Sequence, residues 1–140
     1  MYSAIVLSKY IVSKCTTEDH PISNLQLQKI LYYIQKDYIR RDMLAFSDAI
    51  EAWQFGPVVP NVYYYFCGYG AMTIDRIFPN YEIDSLDADI IDPIIESKRV
   101  LDPWEMVAET HKPSGAWAKT YRDGLGNHNV IPISLIKSAG

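Results

Sequence analysis

The chain has 140 residues and a formal net charge of −4. Hydrophobic residues make up 49% of it and charged residues 21%, so the chain can bury a core and does not have the composition of a disordered protein. The acidic balance argues against a general nucleic-acid-binding protein, which needs a basic face toward the phosphates. The length suits one ordinary domain, and we expect residues 1–140 to form it.

The sequence indicates a cytoplasmic protein that uses no metal and no cofactor. No apolar run approaches the roughly 20 residues of a membrane span. The apolar start carries Lys9 and is not followed by a small-residue cleavage site, so it does not have the pattern of a signal peptide. The two cysteines, Cys15 and Cys67, lack metal-ligand spacing, and we expect both to be reduced and buried thiols.

The clearest helix signal begins at Ser23. Gln26 follows three residues later, which is the spacing of a capping box, and Ile22 and Leu27 occupy the positions of a hydrophobic staple. Apolar residues then recur at helical spacing, namely Leu27, Ile30, Leu31, Ile34 and Tyr38. We predict a helix to about Arg41 that forms the centre of the core.

The remaining pattern predicts a mainly α fold with at most a short β element around residues 49–55. Helices are expected at residues 3–15, 61–68, 86–100, 103–111, 114–121 and 132–138. Asp102 should cap the helix that starts with Pro103. Pro93 should kink or restart the 86–100 helix, with Asp92 as a new N-cap.

Standard catalytic motifs are missing from the sequence. It has no Gly-rich phosphate loop, no GxSxG and no HExxH. The three histidines, His20, His111 and His128, each lie beside turn signals, where a surface or capping role is more common than catalysis. An enzyme with Glu51 and His111 as acid and base is therefore the weakest hypothesis, because no nucleophile, metal or cofactor site accompanies them.

Three segments stand out from a generic helical protein. They read LQKILYY at residues 27–33, EAWQFGPVVPNVY at residues 51–63, and TH followed by a tryptophan at residues 110–117. In this order and at these separations they resemble the Panacea (SocA-like) family, over about residues 3–138. The resemblance implies a compact, mainly helical protein of phages and mobile elements. Most members of that family are antitoxins that neutralise an adjacent toxin, and one branch delivers its toxin to a AAA+ protease.

The polar residues of these segments have two interpretations. Glu51, in an aromatic stretch, needs a donor, for which Tyr32, His111 and Lys29 are candidates. Glu51, Gln54, Tyr32 and His111 are either a functional polar site or an internal network. We favour a structural network, whose members are Glu51, Tyr32, His111, Trp53 and Trp117.

The aromatic run after the second segment predicts a protein interface. Tyr63, Tyr64 and Tyr65, followed by Phe66, put rings on every side of a short helix, so one face has to stay exposed or meet a partner. With Gln54, the three tyrosines are the expected contacts of a cognate toxin. The alternative partner is a host protein, bound by a protease adaptor or a counter-defence factor. The toxin, the binding face and the oligomeric state are left open by the sequence.

Overall fold

A computed structural model describes residues 1–79 and 83–140. Within them lie seven α-helices and one small antiparallel hairpin, which confirms the mainly α prediction. The helices are α1 Ala4–Thr17, α2 Asn24–Arg40, α3 Pro60–Phe66, α4 Ser85–Lys98, α5 Pro103–Thr110, α6 Ala116–Tyr121 and α7 Ile133–Ala139. The strands are β1 Glu51–Trp53 and β2 Gly56–Val58.

Helix α2 forms the centre of the fold, as its periodicity predicts. Its capping box is present: the Ser23 hydroxyl accepts from the Gln26 N–H at 3.3 Å, and Gln26 Oε1 accepts from the Ser23 N–H at 2.9 Å. Helices α1, α3, α4, α5 and α7 and strand β2 all pack against α2. Its four central apolar side chains are fully buried, namely Leu27, Ile30, Leu31 and Ile34.

Buried amide side chains of α2 hold the loops that surround it. Gln28 Oε1 accepts from the Val59 N–H at 2.8 Å. Gln35 accepts from the Ala45 N–H at 2.8 Å and donates to the Phe46 carbonyl oxygen at 2.7 Å. These backbone groups would otherwise be buried without a partner, so the two glutamines stabilise irregular segments on both sides of the helix.

The hairpin confirms the short β element expected near residues 49–55. Strand β1 pairs with β2 in antiparallel register, with Ala52 opposite Pro57. A third stretch of chain supports β1 from outside, since the Ala52 N–H donates to the Asn129 carbonyl oxygen and the Ile131 N–H donates to that of Ile50, both at 2.8 Å. The hairpin is therefore held between α2 and the chain that leads into α7.

The prediction that Pro93 restarts a helix with Asp92 as its cap is wrong. Helix α4 continues through Pro93, and Asp92 Oδ1 instead accepts from the Tyr10 hydroxyl at 2.5 Å. Ile91 and Ile95 are fully buried on either side, while Pro93 is exposed. The packing of the two isoleucines and the bond to α1 offset the cost of a proline inside the helix.

One of the two cysteines differs from expectation. Cys15 is buried, and burial raises the pKa of its thiol. Cys67 is exposed, so the prediction of a second buried thiol is wrong. It begins a short 3-10 turn after α3, while the neighbouring Val62 and Phe66 take the places in the core. In both described stretches of the chain, no helix combines the length and apolar character needed to cross a membrane.

Candidate functional site

Three distant segments of the chain meet at Lys29, in the middle of α2. Its Nζ lies beneath the tight turn of the hairpin and donates to the Pro57 carbonyl oxygen at 3.4 Å. Gly56 has a φ of +121°, and a Cβ there would lie 2.8 Å from Lys29 Cε and 3.0 Å from Thr110 Oγ1. The backbone angle therefore favours glycine, and a Cβ at this position would force the end of the Lys29 side chain to move.

The amine of Lys29 is in an unusual electrostatic environment. The side chain is fully buried, and burial lowers the pKa of Lys29 to about 7 because the ammonium loses its hydration. No carboxylate within residues 1–79 and 83–140 forms an ion pair with it. Burial, together with the positive charge of Lys29, also lowers the pKa of His111. At neutral pH, Lys29 is therefore poised between its charged and neutral forms.

Beside Lys29, aromatic rings form a continuous ladder. The His111 ring stacks on Trp117 with centroids 3.6 Å apart, and Trp117 stacks on Tyr121 at 4.7 Å. The Trp117 indole N–H donates to the Trp53 carbonyl oxygen at 2.8 Å. The Trp53 indole N–H in turn donates to Glu51 Oε1 at 2.9 Å. The ladder thus connects the end of α5 to α6 and to the hairpin.

Four of the five residues expected in an internal polar network are joined by this ladder. The donor to Glu51 is Trp53, whereas the sequence offered Tyr32, His111 and Lys29 as candidates. Tyr32 lies apart, and its side chain lines a different cleft. In the described part of the chain, Glu51 and His111 share no hydrogen bond, so the geometry does not make them an acid–base pair.

A groove of about 500 Å³ opens beside the hairpin, and we name it the aromatic groove. Its ring-bearing walls are formed by Trp53, Phe55, Tyr63, Trp104 and His128. Trp53 stacks on His128 at 4.4 Å, and Phe55 meets Trp104 edge-on at 5.5 Å. Amide side chains lie among the rings, namely Asn24, Gln28, Gln54 and Asn127. The groove therefore offers apolar faces together with hydrogen-bonding groups.

The structure separates the four residues that the sequence proposed as partner contacts. Gln54 and Tyr63 line the aromatic groove. Tyr64 is 61% exposed and its ring lies 6.0 Å from that of Trp53, at the border of the groove. Tyr65 leaves α3 on another side, edge-on to Phe66 at 4.8 Å. Three of the four thus belong to one surface.

Sequence reasoning missed Phe55, Trp104 and His128 as parts of this surface. Trp104 is placed by the cap of α5, where Asp102 Oδ1 accepts from the Trp104 N–H at 2.9 Å with Pro103 at the first helical position. Trp104 is the second residue of the helix that Asp102 caps, and this cap is a signal that the sequence does contain. His128 lies in a loop and has a positive φ of 67°. No sequence signal places its ring against Trp53.

In residues 1–79 and 83–140, no three His, Cys, Asp or Glu side chains are grouped closely enough to hold an ion.

Residues 27–118 match the family described as "Antitoxin SocA-like, Panacea domain". The chain belongs to this family. It is also similar to Antitoxin SocA of Caulobacter vibrioides (strain NA1000 / CB15N), at 29% identity over 127 residues that cover 81% of this chain and 68% of that protein. No solved structure matches the chain. The convergence at Lys29 and most of the aromatic groove therefore lie inside the Panacea domain.

Proposed function

We propose that this protein is an antitoxin that neutralises a partner toxin by direct protein–protein binding, without enzymatic chemistry, and that the aromatic groove is the binding face. Membership of the Panacea family and similarity to Antitoxin SocA support the first part. The second part rests on one observation, which is the concentration of exposed aromatic rings around the groove.

Large rings at this surface remain in contact with water. Phe55 is 46% exposed, Trp104 60% and Tyr64 61%. Exposed rings that cluster, rather than being scattered singly, are typical of protein interfaces, where tryptophan and tyrosine supply much of the binding free energy. A partner that covers the groove would bury these rings together.

The surface is also supported by buried and part-buried hydrogen bonds within the chain. The hydrogen bond from Trp117 fixes the backbone at Trp53, and Lys29 supports the turn of Gly56 and Pro57 from below. A surface that is already ordered loses less conformational entropy on association. The buried contacts of Lys29 with the hairpin turn thus support the proposed binding face from below.

Charge favours a basic partner. The chain carries a net charge of −4, and Asp102 and Glu105 flank Trp104 at the start of α5. Carboxylates at the border of an aromatic surface attract cationic segments and speed their association. We expect the rate of toxin binding to fall as salt is added.

The decisive experiment uses the open reading frame next to the gene for this protein. Its product is expressed alone and together with this protein, and growth and toxin level are followed by culture density and immunoblot. We expect toxicity alone, rescue by coexpression, and a full-length toxin that copurifies with this protein. A harmless product, or a toxin that disappears through a AAA+ protease, would contradict neutralisation by direct binding.

The binding face is tested by alanine at Tyr64 and at Trp104. Each change should weaken toxin binding by about 1–2 kcal/mol, because an exposed ring is lost from the interface and not from the core. Isothermal calorimetry measures the affinity, and thermal unfolding should show nearly unchanged melting temperatures.

Leu86→Ala serves as the matched control, since Leu86 is 75% exposed on α4 and does not line the groove. Tyr65→Ala reports whether the interface extends around α3. If Tyr64→Ala and Trp104→Ala bind the toxin as well as Leu86→Ala does, the aromatic groove is not the interface.

A further inference from the structure

A second cleft, of about 300 Å³, opens where the C-terminal half of α2 meets the end of α5 and the start of α6. We name it the lysine cleft. The side chains that matter for its chemistry are Tyr32, Tyr33, Lys36, Lys98, Glu109 and Lys112. Gly140 borders it on the side of α7. Its volume lies at the lower end of the range of small-molecule sites, roughly 300–1,000 Å³.

Positive charge is concentrated in this cleft. The ammonium groups of Lys98 and Lys36 lie 4.1 and 5.9 Å from the centre of the Tyr33 ring. Glu109 accepts from Lys98 at 3.3 Å and from the Tyr33 hydroxyl at 3.0 Å. The charged side chains of the lining, three ammonium groups and this one carboxylate, sum to +2, in a chain whose formal side-chain total is −4.

The lysines of the cleft repel one another. Burial lowers the pKa of Lys36, and the positive charges of Arg40, Lys112 and Lys98 lower it further. Like charges brought together in a folded protein cost free energy unless an anion accompanies them. In residues 1–79 and 83–140, neither Lys36 nor Lys112 forms an ion pair.

The hydroxyl of Tyr32 supplies an independent observation. Tyr32 is only 4% exposed and lines the cleft, yet its hydroxyl has no hydrogen-bond partner among the described residues. Burial raises the pKa of Tyr32 to about 12, so at neutral pH this hydroxyl is a donor. This hydroxyl lies on the Gly140 side of the cleft, where a Cβ on Gly140 would come within 2.9 Å of it. As a donor open to the cleft, it suits the oxygen of an anion.

We propose that the lysine cleft binds a phosphate group, either free inorganic phosphate or the phosphate of a small monoester such as a nucleotide. A phosphate carries a charge of about −1.5 to −2 at pH 7 and presents three acceptor oxygens. That charge balances the cleft, and the oxygens suit donors from Tyr32, Lys36 and Lys112. A single carboxylate brings half the charge and one oxygen fewer, so an acidic peptide suits the cleft less well.

The test is a titration of the full chain with inorganic phosphate and, separately, with AMP, at low ionic strength. Calorimetry gives the affinity, and two-dimensional NMR reports which amides shift. We expect saturable binding with shifts confined to residues near Tyr32, Lys36 and Lys112. Binding of phosphate alone identifies the free anion as the ligand, and equal or tighter binding of AMP identifies a monoester; either result supports the proposal.

Three variants locate the site. Tyr32→Phe removes one oxygen and should weaken phosphate binding about tenfold while the melting temperature is retained. Lys36→Gln and Lys112→Gln should each weaken it by about tenfold as well. Arg76→Gln makes the same charge change in a loop outside the cleft and should alter the affinity by less than about twofold.

Three results would overturn the proposal. The first is a lack of saturable binding of both probes. The second is an equal loss of affinity in Arg76→Gln and in the cleft variants, which would indicate attraction to overall charge. The third is tighter binding of a glutamate-rich peptide than of phosphate, which would make the cleft a surface for an acidic partner segment.

Discussion

At the scale of single residues, Lys29 is the most strongly perturbed group of the candidate site. Within residues 1–79 and 83–140, its amine has one long hydrogen bond, to the Pro57 carbonyl oxygen, which replaces its lost hydration only in part. The folded pKa of about 7 lies below the unfolded value of about 10.4. At any pH between these values, Lys29 is therefore protonated in a larger fraction of unfolded chains than of folded chains. Burial of the lysine lowers the free energy of unfolding by its full amount below pH 7, and this loss of stability shrinks as the pH rises toward 10.

Lys29→Met should stabilise the fold at pH 6–7 by roughly 2–4 kcal/mol, because it keeps the side-chain volume and removes the charge. This advantage over the wild type should shrink steadily between pH 7 and 10. Urea unfolding at each pH measures it, and the comparison with the wild type cancels the titration of the tyrosines. NMR should show a higher pKa for His111 in the variant, since the neighbouring charge is gone.

Lys119→Met, at an exposed position of α6, is the control. Its stability relative to the wild type should not depend on pH between 7 and 10. A Lys29→Met variant that is less stable than the wild type at every pH would show that the amine supports the hairpin through its hydrogen bond more than it destabilises the fold through its charge.

At the scale of elements, α4 is attached to the rest of the fold by phenol–carboxylate bonds. Asp87 accepts from the Tyr2 hydroxyl at 2.7 Å and from the Tyr38 hydroxyl at 2.5 Å. Asp92 accepts from Tyr10 of α1 one turn further on. Burial alone would raise the pKa of Asp87, but the two hydroxyl donors outweigh it, and the net pKa is lowered. The ionised carboxylate is therefore the form that holds α4 in place.

Asp87→Ala should lower the free energy of unfolding by about 2–3 kcal/mol, because two hydroxyls lose a charged acceptor. Asp89→Ala, at an exposed position two residues along the same helix, should change it by less than about 0.5 kcal/mol. Urea denaturation measures both. Equal stability of the two variants would mean that apolar packing of Ile91 and Ile95, rather than these bonds, holds α4.

At the scale of the whole molecule, α2 unites the fold. Its apolar side chains contribute to one core cluster that also contains residues of α1, α3, α4, α5, α6 and α7. Cooperative unfolding is expected when most elements depend on the same buried helix. We therefore expect residues 1–140 to unfold as one unit.

Leu31→Ala tests this cooperativity. Removal of a fully buried leucine should cost about 2–5 kcal/mol. Tryptophan fluorescence follows the aromatic groove, and far-UV circular dichroism follows the helices. Both transitions should move to lower temperature together, whereas Leu86→Ala should move neither. Two separate transitions would show that the hairpin and groove unfold apart from the helices.

The sequence by itself determined most of the helices, the start of α2 and the core residues of that helix. These features depend on neighbours three or four positions apart, such as Ser23 with Gln26, so local chemistry is sufficient to specify them. It also indicated the Panacea family, because LQKILYY and the segment around Gly56-Pro57 are themselves continuous in the chain. The sequence does not show that α4 continues through Pro93, because the local cost of the proline is offset by packing between distant segments.

Only the tertiary structure decided the composition of the two surfaces. The aromatic groove joins Trp53, Trp104 and His128 from three separate segments, and their meeting depends on how α5 and the last loop fold back onto the hairpin. Likewise, helical periodicity does not place Lys29 beneath Gly56 or Lys36 beside Lys112. Burial and charge proximity are properties of chain segments that meet in space, and they cannot be obtained from the spacing of residues along one helix.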